Sequence, residues 1–371
     1  MGAEPAVTPK PQPLAFEALA GFADDDARAA FAAFRDWARA AVAEAPALRT
    51  AKAPSPRLIE IAAAACGASI ADDGAARRFF VDNFRPWRVL SDAPDGAAFF
   101  TGYYEPVLDA SLTQTAEFIA PVLARPADLV SFAPGEGPPG FDPALAGAQR
   151  SQDGTLRPYS DRASIEAQGG EAVAWLADEV EVFFVQVQGS ARLRLADGRN
   201  ARLVYDGRNG RPYSSIGRLL VEAGEIPKDE MSLARLKAWL RAHGLRPGDP
   251  GRAILQRNAS YVFFRLVEDV EPALGPIGGA GIALTPLRSI AVDRTLWSYG
   301  LPFWIDASLP WERDDLSPFR RLMVAHDSGS AIVGPARADI FFGAGDMAGA
   351  HAGAIRHRGA FVVLAPLGDE P

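Results

Sequence analysis

The chain has 371 residues, 48% hydrophobic and 23% charged, with one cysteine and a formal net charge of −8. A single core stops growing near ~250–300 residues, so two or more domains are expected, and the apolar share excludes a wholly disordered chain. No run approaches the roughly 18 apolar residues of a membrane helix. The acidic balance argues against nucleic acid as a partner, and the lone Cys66 excludes an intrachain disulfide or a cysteine-rich zinc site.

Met1–Phe16 (MGAEPAVTPKPQPLAF) has neither a basic start nor an apolar run, and reads as a Pro-rich tether rather than a signal peptide. Asp24–Asp26 then supply acidic capping for a helix that carries Phe31, Phe34, Trp37 and Ala41 on one face. Ser55-Pro56 opens a second helix over Leu58–Cys66, closed by Gly67, and a third is predicted from Ala75 to about Asn83. The pattern changes at Ala97–Val107 (AAFFTGYYEPV), an aromatic strand ended by Pro106. The Pro- and Gly-rich stretch 126–158, including FAPGEGPPGFDP, reads as a surface loop.

Glu181–Gln188 (EVFFVQVQ), Leu193–Ala196 and Arg202–Tyr205 predict strands, with turns at Asp197-Gly198 and Asn209-Gly210. Ser214 is expected to cap a helix bearing Ile216, Leu219, Leu220 and Ala223. Ser232 is expected to cap another bearing Leu233, Leu236, Trp239 and Leu240, and Gly224 and Gly244 end the pair. From Tyr261 onward the segments YVFFRLV, SIAVD, PFWIDASL, RLMVAHD, ADIFF and AFVVLAP predict strands of a small barrel or sandwich. Asp293, Asp327 and Asp339 lie at the ends or edges of these strands, among apolar neighbours. Acids there are costly to bury, so they either hold turns or do chemistry.

The runs FFTGYYEP, VQVQGSARL and YDGRNGRPYSSIGRLL, with the tail AVD…AHDSGSAIVGPARADIFFG…AGAHAG, resemble the membrane-bound lytic murein transglycosylase A family from about Phe99 to Leu364. The tail looks like that family's 3D domain, named for three aspartates. The resemblance implies a mainly β fold, a double-psi β-barrel with N-terminal helices from residues 1–105 plus 268–371, and a second, mostly β domain inserted at 106–267. It implies a lytic exotransglycosylase that cuts the β-1,4 bond between N-acetylmuramic acid and N-acetylglucosamine and leaves 1,6-anhydromuramic ends. Asp339 falls at the family's sole catalytic acid, with Asp327 and Asp293 supporting. Ser330 stands where relatives usually have Gly, and Glu105 where many have Thr or another small polar residue.

Such a reaction needs one acid that afterwards acts as base, hence a raised pKa. Ile340, Phe341 and Phe342 could desolvate Asp339, and a nearby Asp327 would repel its charge. Sugar binding falls to Thr101, Tyr103, Gln186, Gln188 and Ser190 by residue type, strand alternation placing the two glutamines on one face. The resemblance adds Gly189, Ser328 and Gly329. No cofactor, metal or nucleotide is expected: His326, His351 and His357 lack ligand spacing, and Gly278-Gly279-Ala280-Gly281 lacks a strand-to-helix context. The implied partners are peptidoglycan glycan strands and cell-wall synthesis or hydrolysis complexes, for a monomer in the periplasm, the lipid anchor of relatives being left open. Rival readings are an aspartic protease (Asp327-Ser328-Gly329), a two-carboxylate glycan hydrolase pairing Asp339 with Asp293 or Glu105, and a non-catalytic peptidoglycan-binding scaffold.

Overall fold

The structure, a computed structural model, describes residues 10–132, 136–268, 271, 274–313 and 315–371. The first nine residues of the expected Pro-rich tether and part of FAPGEGPPGFDP lie outside the described residues. The chain divides into two compact units, Met1–Tyr104 with Ala273–Pro371, and Glu105–Pro272.

In the first unit six strands close on themselves. Around the ring they run Arg356–Pro366, Pro302–Leu309, Ser317–Asp327, Ser289–Val292, Arg337–Ala344 and Ala98–Glu105, which pairs back to the first. Closure removes free sheet edges. Ser289–Val292 runs parallel to Ser317–Asp327 and antiparallel to Arg337–Ala344. Of the barrel or sandwich expected from the C-terminal segments, the barrel is present with one exchange: Val262–Glu268 pairs in the other unit, and Ala98–Glu105 takes a place in the ring.

Three helices cover this barrel, each capped as its sequence dictates. Asp26 accepts from Ala29 N–H, Ser55 from Leu58 N–H and Asp72 from Ala75 N–H, for Ala27–Val42, Pro56–Gly67 and Asp73–Asn83. Phe31, Phe34, Trp37, Phe80 and Phe84 pack with Trp304, Leu322, Val324, Val362 and Leu364 into one core. Gly300, at φ +85°, lies under Trp37, whose ring would be 2.2 Å from any added Cβ. Of the acidic cluster, Asp26 is the cap, whereas Asp25 is a buried ion-pair partner. Its two oxygens accept from Arg288 Nη1 and Nη2 at 2.7 and 2.8 Å, and from Leu322 N–H at 2.9 Å.

The second unit holds a four-stranded sheet of Val107–Ala110, Ser190–Leu195, Asn200–Arg208 and Val262–Glu268, with two smaller sheets. One of these, Leu129–Ser131, Gly147–Arg150 and Leu156–Pro158, lies within the stretch expected to be loop. Buried Glu105 accepts from Arg202 Nε at 2.6 Å and Arg192 Nη2 at 3.0 Å.

The EVFFVQVQ strand is a correction: the segment is the helix Glu179–Gln188. Val180 and Val182 through Gln186 are all buried, so the run shows neither helical nor strand periodicity. Its ends carry the helix signals, Asp178 accepting from Glu181 N–H and Gly189 left-handed at φ +82°. Ser215, not Ser214, caps Ile216–Glu222, while Ser232 caps Leu233–Ala242 as expected. Arg162–Gln168, Pro250–Gln256 and Gly345–Ala354 are further helices, short or Gly- and Ala-rich, that the pattern did not predict.

Asp25→Ala leaves the Arg288 charge buried without its partner. It is expected to lower the unfolding free energy by about 3–5 kcal/mol, seen as a reduced urea midpoint at unchanged slope.

Candidate active site

Two strand registers bring the acids together. Ala291 is paired with Asp339 on one side and Asp327 on the other, so the two aspartates leave strands that flank one residue. Thr101 and Tyr103 share a face of Ala98–Glu105 by strand alternation. Thr101 Oγ1 donates to Asp339 Oδ1 at 2.5 Å, and Tyr103 OH donates to Asp327 Oδ2 at 3.0 Å.

The surroundings of the two carboxyls differ. Asp327 Oδ1 accepts from Gly279 N–H and Ser328 N–H, both at 2.8 Å, and from Arg49 Nη1 at 3.4 Å. With Tyr103 this makes a shell of donors, which suits a carboxylate. Arg49 also donates to the Ser328 carbonyl, and Tyr299 OH donates to Ser328 Oγ at 3.1 Å, fixing the turn after Asp327.

Burial instead pushes the Asp339 carboxyl from 3.8 up to about 6, with the Asp327 charge adding to the rise. Arg337 and the Thr101 hydrogen bond oppose it. Phe341, buried and two positions on in the strand, shares the face of Asp339, with its ring 5.3 Å from that of Tyr103, whereas Ile340 and Phe342 are buried on the opposite face. Burial, then the charges of Asp327 and Asp339, raise the Tyr103 phenol well above its ordinary value, so it stays a donor.

Asp293, the first of the three aspartates, does not join this pair. Its Oδ1 accepts from Thr295 N–H and Oγ1 at 3.0 and 2.6 Å, and its Oδ2 from Gly334 N–H at 2.8 Å. It pins the loop that leads into the Asp339 strand. Ser328 is buried, and Gly329 follows it in the turn. Gln186, Gln188 and Gly189 belong to the second unit, where the helix replaces the expected shared face. Residues two apart on a helix diverge by roughly 200°. Gln186 is buried and donates to the Val262 carbonyl at 3.2 Å, whereas Gln188 and Gly189 are half-buried.

The histidines hold no shared centre. His326 is buried with Nδ1 2.8 Å from Ser289 Oγ, and burial lowers it to about 3. Among the described residues no three His, Cys, Asp or Glu side chains converge as a metal site requires. The sequence reading missed Arg49, Gly279, Tyr299 and Arg337. Only Arg337 carried a local signal: two positions before Asp339 in one strand, it shares that residue's face. Its Nη2 donates to Thr101 Oγ1 at 2.7 Å.

Residues 99–265 match the MltA specific insert domain, and residues 288–365 match the 3D domain. The chain is 31% identical over 296 residues to membrane-bound lytic murein transglycosylase A of Escherichia coli strain K12, spanning 78% of this chain and 70% of that protein. The crystal structure of a membrane-bound lytic murein transglycosylase from Agrobacterium tumefaciens is similar at a TM-score of 0.85 and 35% identity, over 96% of this chain and 98% of that one. E. coli MltA with bound chitohexaose is similar at a TM-score of 0.63 and 25% identity, over 97% and 92% of the two chains. The chain, with its paired acids on a closed barrel, belongs to the membrane-bound lytic murein transglycosylase A family.

Proposed function

We propose that the protein is a peptidoglycan lytic exotransglycosylase in which Asp339 is acid and then base. The observation that carries this reading is one buried, protonatable carboxyl beside a carboxylate already surrounded by donors. Protonated Asp339 gives its proton to the oxygen of the bond between N-acetylmuramic acid and N-acetylglucosamine, and the C1–O bond breaks. The muramyl C6 hydroxyl then attacks C1 while its proton passes to the Asp339 carboxylate. The 1,6-anhydro ring closes, the acid is restored and no water is consumed. Because the nucleophile is part of the substrate, positioning replaces a second protein carboxylate.

The rivals lack the groups they need. A two-carboxylate hydrolase would pair Asp339 with Asp293 or Glu105, but Asp293 is bonded to backbone and Thr295, and Glu105 to two arginines. An aspartic protease needs two carboxyls sharing one proton, whereas Asp327 and Asp339 are bonded to separate hydroxyls. A binding scaffold would have no use for a carboxyl lifted to about 6.

We read the six-strand ring as a double-psi barrel, with 106–267 as an inserted domain between 1–105 and 268–371. The parallel pairing of Ser289–Val292 and the insert-domain match at 99–265 support this. On the barrel the glycan strand is assigned contacts at Thr101, Tyr103, Ser328 and Gly329. Within the second unit Gln188 and Gly189 are half-buried sugar-binding candidates, whereas the buried Gln186 has its amide on the Val262 carbonyl. The curated relatives are named membrane-bound murein enzymes, which supports action in the periplasm at the outer membrane. No described helix is long and apolar enough to cross a membrane.

Four outcomes test the reading. Asp339→Asn is expected to cut murein cleavage below a few per cent of wild type with the fold intact. Mass spectrometry of wild-type digests should show anhydro ends; water-derived reducing ends would establish a hydrolase instead.

The same substitution should stabilise the protein at high pH. Ionising Asp339 is penalised in the folded state, so wild type loses stability as pH rises from about 4 through about 6, and the amide does not. Thermal unfolding should show no difference between the two near pH 3.5. The gap should open through that window and level off at roughly 1–3 kcal/mol by pH 8.

Asp327→Asn removes a charge that holds the Asp339 proton, so the basic limb of the pH–rate profile should move to lower pH. Burial is the larger cause, and the movement should be a fraction of a unit. A limb that stays in place would assign Asp327 to its turn alone.

A further inference from the structure

Arg337 is, among the described residues, the one cation bonded to the hydroxyl that serves Asp339, and the reaction scheme above gives it no task. Its Nη2 donates to Thr101 Oγ1 at 2.7 Å, and that hydroxyl donates to Asp339 Oδ1 at 2.5 Å. Its guanidinium carbon lies 5.2 Å from the centre of the Phe99 ring, and its Nη1 reaches the Phe99 carbonyl at 3.4 Å. Strand, ring and carbonyl therefore hold the fork in one place, two residues from the acid on the same face.

We propose that Arg337 is a positioning residue for the acid–base carboxyl: through Thr101 it fixes a hydroxyl proton toward Asp339 and stabilises the carboxylate that exists between the two proton transfers. The inference rests on the reading of Asp339 as that acid and base. A threonine hydroxyl has one proton and two lone pairs. With one lone pair taken by Arg337, the hydroxyl turns its proton to Asp339, and the donor is polarised by the charge behind it. The protonated acid gains less from this arrangement than the carboxylate does. The other charged or titratable groups facing the pair are Asp327 and Tyr103, Arg49 behind Asp327, and the exposed Arg356, which is the cross-strand partner of Thr101. Burial and Asp327 favour the proton, whereas Arg337 and Thr101 favour its loss, and both states are needed in turn.

The test combines pH–rate profiles with direct titration of the Asp339 carboxyl by carbon-13 NMR. Arg337→Met keeps the stem and removes the charge. It should move the Asp339 titration and the basic limb upward by roughly one pH unit, and lower the acid-side kcat plateau about tenfold with little change in KM. Arg337→Lys should recover most of the shift. Thr101→Val should shift the titration upward with Arg337 still present, while Thr101→Ser should not. If Arg337→Met fails to fold, the threonine pair carries the test. An Asp339 titration unmoved in both Arg337→Met and Thr101→Val would overturn the proposal, even if stability falls, because a role in packing alone would leave the titration in place. Retained activity in Asp339→Asn would overturn the assignment of the acid instead, and the titrations would still report on the relay.

Discussion

A single carboxyl can act first as acid and then as base only if its two protonation states lie close in free energy at the working pH. In the reaction proposed for Asp339, the hydrogen bond from Thr101 is where that balance would be struck. Burial, with the Asp327 charge, holds the proton on, whereas the hydroxyl and Arg337 behind it pull toward the anion. The residual rise, from 3.8 to about 6, is much smaller than full desolvation of an unassisted carboxyl would produce. A lower value would leave too little acid near neutrality, and a higher one would leave a poor base.

The barrel supplies this balance through register rather than through any one loop. Ala291 has the Asp327 strand on one side and the Asp339 strand on the other, and neighbouring strands are about 4.8 Å apart. The two acids are thus held at a separation that chain flexibility cannot change. Alternation along Ala98–Glu105 then presents Thr101 to one acid and Tyr103 to the other. A register slip of one residue would turn both hydroxyls away. The Asp25–Arg288 pair, bonded also to the Leu322 backbone, braces the entry to the Ser289–Val292 strand from the helical side.

What could be read from the sequence divides along physical lines. Caps at Ser55, Ser232 and the Asp24–Asp26 cluster, and the Phe31, Phe34 and Trp37 stripe, are local signals and were legible. The acids were legible because aspartate at a strand end or edge conflicts with burial. EVFFVQVQ misled because a helix buried on nearly every side loses its period, leaving only Asp178 and Gly189 to mark it. Arg49 and Gly279 could not be found by spacing. They reach Asp327 from positions 278 and 48 residues away, and only the folded chain makes them neighbours. Gly279 lies in a glycine run without the strand-to-helix context of a nucleotide site, yet its backbone N–H bonds the carboxylate, a role no side-chain motif records.

The donors around Asp327 explain why two acids can be kept so near one another at all. Two carboxylates in one apolar site cannot both ionise freely. Four donors, two of them backbone N–H groups fixed by turns, surround Asp327 and suit it to accept as a carboxylate. Gly279 also has to be glycine for steric reasons, since an added Cβ would stand 2.3 Å from the Tyr299 hydroxyl. That same hydroxyl bonds to Ser328, so the loop that feeds Asp327 and the turn that follows it are tied through one tyrosine. The asymmetry between the acids is therefore built by their neighbours: identical side chains on opposite sides of Ala291 differ because one is ringed by donors and the other is buried against a single hydroxyl.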